Sequence, residues 1–197
     1  MKHCILLLLF LQAAFAQDVD SNKDQFRNRG YFNLTRIGYI SVNNVERDYF
    51  VPGEGNFSID VQANNARAYL LETINGYFFN PYFSAGIGVG LNGYHEPTLN
   101  TMPVFIDVRG YLNNSYNSPF IYADYGVLIR PGDIFKRGNM FNIGAGYKFF
   151  ISKSSRIALV PEIGYSMKNI SLTDEAVRTS DDSYNLTGLH FGLGIIF

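Results

Sequence analysis

Residues 188–197 read GLHFGLGIIF and divide by parity. Leu189, Phe191, Leu193, Ile195 and Phe197 form one set; Gly188, His190, Gly192, Gly194 and Ile196 form the other. A period of two is the period of a β-strand, so one face of this strand is large and apolar and the other is mostly glycine. Chain ends ordinarily fray in water, yet Phe197 carries the pattern to the last position. What the apolar face touches decides the fold.

The same parity recurs upstream. Turn chemistry separates eight runs that read as strands over 30–42, 66–79, 82–94, 102–112, 119–130, 139–151, 156–168 and 186–197. The breaks at 80–81, 113–118 and 152–155 are short, whereas 43–65, 95–101, 131–138 and 169–185 are longer. Short and long breaks alternate, as they do in an up-and-down barrel with tight turns at one rim and loops at the other. The expected fold is therefore all-β: an eight-stranded antiparallel up-and-down barrel that crosses a membrane.

The two faces say which way that barrel is turned. Phe83, Ala85, Ile87, Val89 and Leu91 oppose Ser84, Gly86, Gly88 and Gly90; Ile121, Ala123, Tyr125 and Val127 oppose Asp124 and Gly126. Ile143, Ala145 and Tyr147 oppose Gly144, Gly146 and Lys148. In a soluble barrel the glycine face would meet water, where strand glycines weaken the sheet and pack against nothing. With the apolar face toward lipid, the small residues instead make room for charged side chains in a narrow lumen. Runs of about 11–14 residues exceed the roughly 9–11 needed to cross at a tilt. A cation on the lipid face at mid-depth would cost about 2–4 kcal/mol, and the five cleanest runs place none there.

Two runs are less regular. Placing Glu72 inside leaves Asn75 outside, and placing Arg36 inside leaves Asn33 and Thr35 outside; a bulge or a position near the interface is the expected remedy. Pro161 falls inside a run and predicts a bulge or local break. Tyr77, Phe79, Phe83, Phe149 and Phe197 gather near the short-turn rim, where aromatics form an interfacial girdle; ordinary β propensity accounts for them as well.

The chain divides into 1–16, 17–29 and 30–197. Lys2 and His3, the apolar stretch Cys4 to Leu11, and Ala14-Phe15-Ala16 read as a signal peptide that is removed before Gln17. Residues 17–29 are polar and read as a flexible lead-in. Cys4, the sole cysteine, leaves with the signal peptide, so neither a disulfide nor a thiol nucleophile is expected. The 197 residues carry a net charge of −1, 19 glycines, 14 tyrosines, 17 phenylalanines and no tryptophan, which gives no basis for a nucleic-acid partner.

The stretches "NGYFFNPYFSAGIGVGLNGY" (75–94), "MPVFIDVRGYL" (102–112), "SPFIYADYGVL" (118–128) and "GAGYKFFISKSSRIALVPEIGYS" (144–166), with the terminal Phe197, resemble the small outer-membrane β-barrel proteins of Gram-negative bacteria. The resemblance implies export through the periplasm to the outer membrane. It implies contact with outer-membrane lipids and lipopolysaccharide, and recognition of Phe197 as the assembly signal by the barrel-assembly machinery. A monomer is expected. The resemblance fixes fold and location better than activity, because fold alone does not supply a function.

The chemistry expected inside is ionic. A symmetric 113–118 turn sets Tyr111 opposite Phe120, Arg109 opposite Tyr122, Asp107 opposite Asp124 and Phe105 opposite Gly126, with Arg109 diagonal to both carboxylates. Two carboxylates side by side need a cation, a shared proton or water. Arg36, Glu72, Lys148, Glu162 and the inward His190 complete the candidate set. A salt-bridge network plugging the lumen is one reading; a proton or ion path is the other. Some outer-membrane barrels of this kind are lipid-modifying enzymes built around a histidine, but His190 stands among glycines with no serine beside it in sequence. Arg130, Lys136 and Arg137 are candidates for lipopolysaccharide phosphates, and Asp174, Glu175, Asp181 and Asp182 for divalent cations; plain solvated loops are the leading reading of both. Neither a cofactor nor a metal centre is expected. The leading expectation is a non-enzymatic envelope protein with a structural or surface-interaction role. A lipid-modifying enzyme, a narrow channel and a soluble ligand-binding barrel are the alternatives.

Overall fold

The computed structural model describes residues 28–51, 53–61, 65–96, 98–115, 117–129, 135–151, 157–172 and 183–197. The proposed cleavage site, Arg130, the Lys136 side chain and the acidic residues 174–182 lie outside the described set. Every regular element among the described residues is a strand: β1 (Gly30–Val51), β2 (Gly55–Asp60), β3 (Arg67–Asn80), β4 (Phe83–His95), β5 (Leu99–Tyr111), β6 (Ser118–Ile129), β7 (Phe135–Phe150), β8 (Ala158–Leu172) and β9 (Ser183–Ile196). Sequence neighbours pair antiparallel from β3 to β9, β1 pairs β3, and β1 also pairs β9. The last contact closes the sheet. Eight strands make the barrel, and β2 folds back on the outer half of β1.

The faces are turned outward-apolar. In β9, Leu189, Phe191, Leu193 and Ile195 are 41–49 % exposed, whereas His190 is 2 % exposed. Ile37, Leu71, Ile87, Ile106, Ile121 and Ile163 are likewise exposed, and Arg36, Glu72, Asp107, Arg109, Asp124 and Glu162 are buried. Phe197 does not fray. Its N–H donates to Asn33 O and its carbonyl accepts from Asn33 N–H, both at 2.9 Å, so the terminal residue belongs to the closing seam.

Glycine permits the inner packing. A Cβ on Gly126 would meet Val104 O and would lie 2.5 Å from Phe105 Cα, and one on Gly146 would lie 2.5 Å from the Phe120 ring. These contacts leave no space for a methyl group. At Pro161 no bulge forms. The β7–β8 register is the same at Gly146↔Glu162 and at Phe149↔Leu159, with an interruption between them, so the break is local and in register.

Three sequence expectations need correction. The stretch 43–65, read as a loop, contains the end of β1 and all of β2, joined through Gly53 and Gly55 at φ of 89° and 106°. Several strands also begin earlier or end later on the long-loop side, at Leu99, Phe135, Leu172 and Ser183. Finally, no bulge or register shift rescues Asn33, Thr35 and Asn75, because β1 and β3 stay in register from Gly30↔Phe78 to Ser41↔Arg67.

Candidate functional site

The lumen is crossed by an ionic network anchored on Arg36 of β1. Its Nε donates to Glu72 Oε2 on β3 at 2.8 Å, Nη1 to Glu162 Oε2 on β8 at 2.9 Å, and Nη2 to Asp124 Oδ2 on β6 at 2.6 Å. One guanidinium thus ties three carboxylates from three parts of the wall. Only Glu72 is its register neighbour; the others are reached across the lumen.

Arg109 of β5 forms the second node. It grips Asp107, two residues away on the same face, with Nε at 2.8 Å from Oδ1 and Nη2 at 2.9 Å from Oδ2. Its Nη1 donates to Glu162 Oε1 at 2.7 Å. Glu162 therefore bridges the two arginines, one oxygen to each. Multidentate pairing of this kind is what makes burial of such charges tolerable.

The β5–β6 register is the one expected from the 113–118 turn, with Asp107↔Asp124 and Arg109↔Tyr122. The hydrogen bonds are distributed differently. Arg109 is spent on Asp107 and Glu162, and Asp124 is held by Arg36 and by Asn142 Nδ2 at 3.2 Å. Among the described residues, Glu72 Oε1 and Asp124 Oδ1 remain buried acceptors without a hydrogen-bond partner.

Rings fill the space around the charges. Arg36 lies 5.7 Å from the Phe105 centroid and 5.6 Å from that of Tyr122; Arg109 lies 5.0 Å from Phe120 and 5.6 Å from Tyr122. Both cations thus face aromatic π-systems, a favourable arrangement when water is excluded. His190 of β9 pairs through Nδ1 with the Tyr122 hydroxyl at 2.9 Å. It lies inside the lumen and not on the lipid-facing wall.

Lys148 sits apart from the arginines, toward the short-turn end. It donates to Asn28 Oδ1 and is ringed by Phe78, Tyr111 and Phe150 at 5.2–5.6 Å. Asn28 is buried and donates to Pro81 O at 2.8 Å, so the chain just before β1 enters the mouth of the barrel. Toward the long-loop end, Lys168 lies 5.3 Å from the Tyr94 ring, and with the Asn92 amide turned so that its oxygen faces the ammonium, Lys168 donates to it at 2.7 Å. Among the described residues, the buried carboxylates Glu72, Asp107, Asp124 and Glu162 stand against the buried cations Arg36, Arg109, Lys148 and Lys168. The lumen is thus a charge-balanced stack of cation, ionic cluster and cation, packed with rings.

Asn28, Tyr122, Asn142 and Lys168 were not singled out as site residues from the sequence. Lys168 carried a legible signal, since parity puts it on the inner face of its run. Asn28 carried none, because it stands in a uniformly polar stretch.

No protein-family model matches the chain, and no curated protein sequence matches it. Among solved structures it is similar to the crystal structure of the outer membrane protein OprG from Pseudomonas aeruginosa. The identity is 9 %, over 86 % of this chain and 97 % of that one, with a TM-score of 0.53. It is also similar to the outer membrane protein AlkL in lipid bilayers, at 14 % identity over 91 % of this chain and 94 % of that one, with a TM-score of 0.49. The OprG likeness is one of fold, and the AlkL likeness carries no weight beyond it. Together with the closed sheet and the outward apolar face, it gives the conclusion: this chain has the fold of a small eight-stranded outer-membrane β-barrel protein.

Proposed function

We propose that the protein is a non-enzymatic outer-membrane barrel with a plugged lumen, acting in envelope structure or in surface interactions. The observation that carries this reading is the network joining Arg36 to Glu72, Asp124 and Glu162, and Arg109 to Asp107 and Glu162, all buried in the lumen. An ion in transit would have to displace paired charges that touch one another at 2.6–2.9 Å. Function then belongs to the wall and the outer rim. The wall meets outer-membrane lipid and the exposed Arg137 near the outer end of β7 meets lipopolysaccharide phosphate. On the same reading, residues 1–16 direct export, and the β9 face that ends in Phe197 is what the barrel-assembly machinery engages.

Planar-bilayer recording tests the plugged lumen. Purified protein is expected to show no discrete conductance steps in 1 M salt. Regular single-channel steps that change on Arg36→Ala would contradict it and favour the channel reading.

A further inference from the structure

On the long-loop side the outer wall turns polar at Asn100, Asn139, Asn169, Asn185 and Thr187; within the apolar band below them, among the described residues, it is apolar except at one place. On β1 the residues of outward parity are Tyr31, Asn33, Thr35, Ile37 and Tyr39, with Asn33 buried among its neighbours, and on β3 they are Tyr69, Leu71, Thr73, Asn75 and Tyr77. Asn33 pairs with Asn75 and Thr35 with Thr73. The flanking strands locate this patch in depth. Thr35 is level with Ile195 of β9 and Asn33 with Phe197, while Thr73 is level with Val89 and Asn75 with Ile87 of β4. Phe197 of the short-turn girdle and Ile87 flank the asparagines, and Ile195 and Val89 flank the threonines one step deeper, so apolar residues bracket the polar group on both sides.

The four side chains hydrogen-bond to one another. Thr35 donates to Asn33 Oδ1 at 3.1 Å, and Asn33 Nδ2 donates to Thr73 Oγ1 at 3.2 Å and to Asn75 Oδ1 at 2.9 Å. The Thr35 and Thr73 hydroxyls are 3.2 Å apart, and the Tyr31 hydroxyl donates to Asn75 Oδ1 at 2.5 Å. The account closes except at one group. Asn75 Nδ2 donates to nothing among the described residues, and Asn75 is only half-buried. Acyl chains hold no acceptor for it.

We propose that this β1–β3 face pairs two copies of the chain side by side in the membrane. Apolar surface gains little by leaving lipid for protein, so lateral association is driven where polar groups find partners. A two-fold axis along the membrane normal sets each patch opposite its own copy at equal depth. Each Asn75 amide then meets the hydroxyl and amide oxygens of the other copy. The patch carries donors and acceptors and no net charge, so it is complementary to itself. This rests on the membrane placement of the barrel and not on its plugged lumen, and a conducting lumen would leave it standing.

Cysteine cross-linking of the full chain in native membranes tests it, in a Cys4→Ser background. Ile37→Cys lies beside the patch, and Ile143→Cys lies on the far wall at β7. Oxidation is expected to give a product at twice the chain mass from Ile37→Cys, at least fivefold more than from Ile143→Cys. Replacing Thr35, Thr73 and Asn75 with Val, Val and Leu is expected to remove most of that product, with insertion checked by heat-modifiable gel mobility. Equal yields at both positions, no product, or a product with a different protein would each overturn the proposal. The two single-cysteine chains decide the matter even if the triple variant does not insert.

Discussion

Arg36 governs the interior because it has no substitute. Three carboxylates converge on one planar guanidinium, and of the three only Glu162 also accepts a hydrogen bond from Arg109. Arg36→Met would leave Glu72 and Asp124 buried without the cation that hydrogen-bonds them, and removing one partner of a buried pair costs about 3–5 kcal/mol. Urea unfolding in lipid vesicles should show that loss, and a loss below about 1 kcal/mol would show that the network contributes little. Arg36→Lys should recover only part of it, because an ammonium is a point charge without the fork that reaches three acceptors. Parity assigned these residues to the inner face. It did not reveal their partners, because Arg36 and Glu162 are 126 positions apart and meet only once the barrel has closed. The Asp107↔Asp124 register was legible because a short turn fixes it locally.

At the level of strands, glycine decides what the lumen can hold. Gly126 and Gly192 both face inward, yet they differ in what surrounds them. A Cβ on Gly126 would collide with the β5 backbone at Val104 and Phe105, whereas one on Gly192 would make ordinary contact at 3.4 Å with Glu162 and His190. Gly126→Ala should therefore destabilise by about 1–3 kcal/mol, the range for overpacking, and Gly192→Ala should stay within about 0.5 kcal/mol of the parent. Similar effects at the two positions would mean that backbone proximity is not what the glycines serve. The β1–β2 arm shows where sequence reading runs out. Phe57, Ile59 and Val61 alternate with Asn56, Ser58 and Asp60, but this short signal sits among Pro52, Gly53 and Gly55, whose turn chemistry reads as a loop.

For the whole molecule, the eight-stranded closure and the outward apolar face were readable from the chain, whereas the alternation of short and long breaks was not kept: the strands run on past the apolar band, so that only residues 96–98 join β4 to β5 while 112–117 join β5 to β6. The closure and the outward face follow from parity repeated eight times and from the cost of placing glycine against water. The depth of the ionic cluster and the mutual satisfaction of Asn33, Thr35, Thr73 and Asn75 required coordinates, since both depend on residues from separate strands meeting. The central claim is the orientation of the wall. Spin labels placed singly at residues 189–196, with the protein in lipid vesicles, test it through collision with oxygen and with a water-soluble nickel chelate. Oxygen accessibility should oscillate with period two, with maxima at Leu189, Phe191, Leu193 and Ile195 and minima at His190 and Gly192. Maxima at His190 and Gly192, or no oscillation at all, would contradict the account.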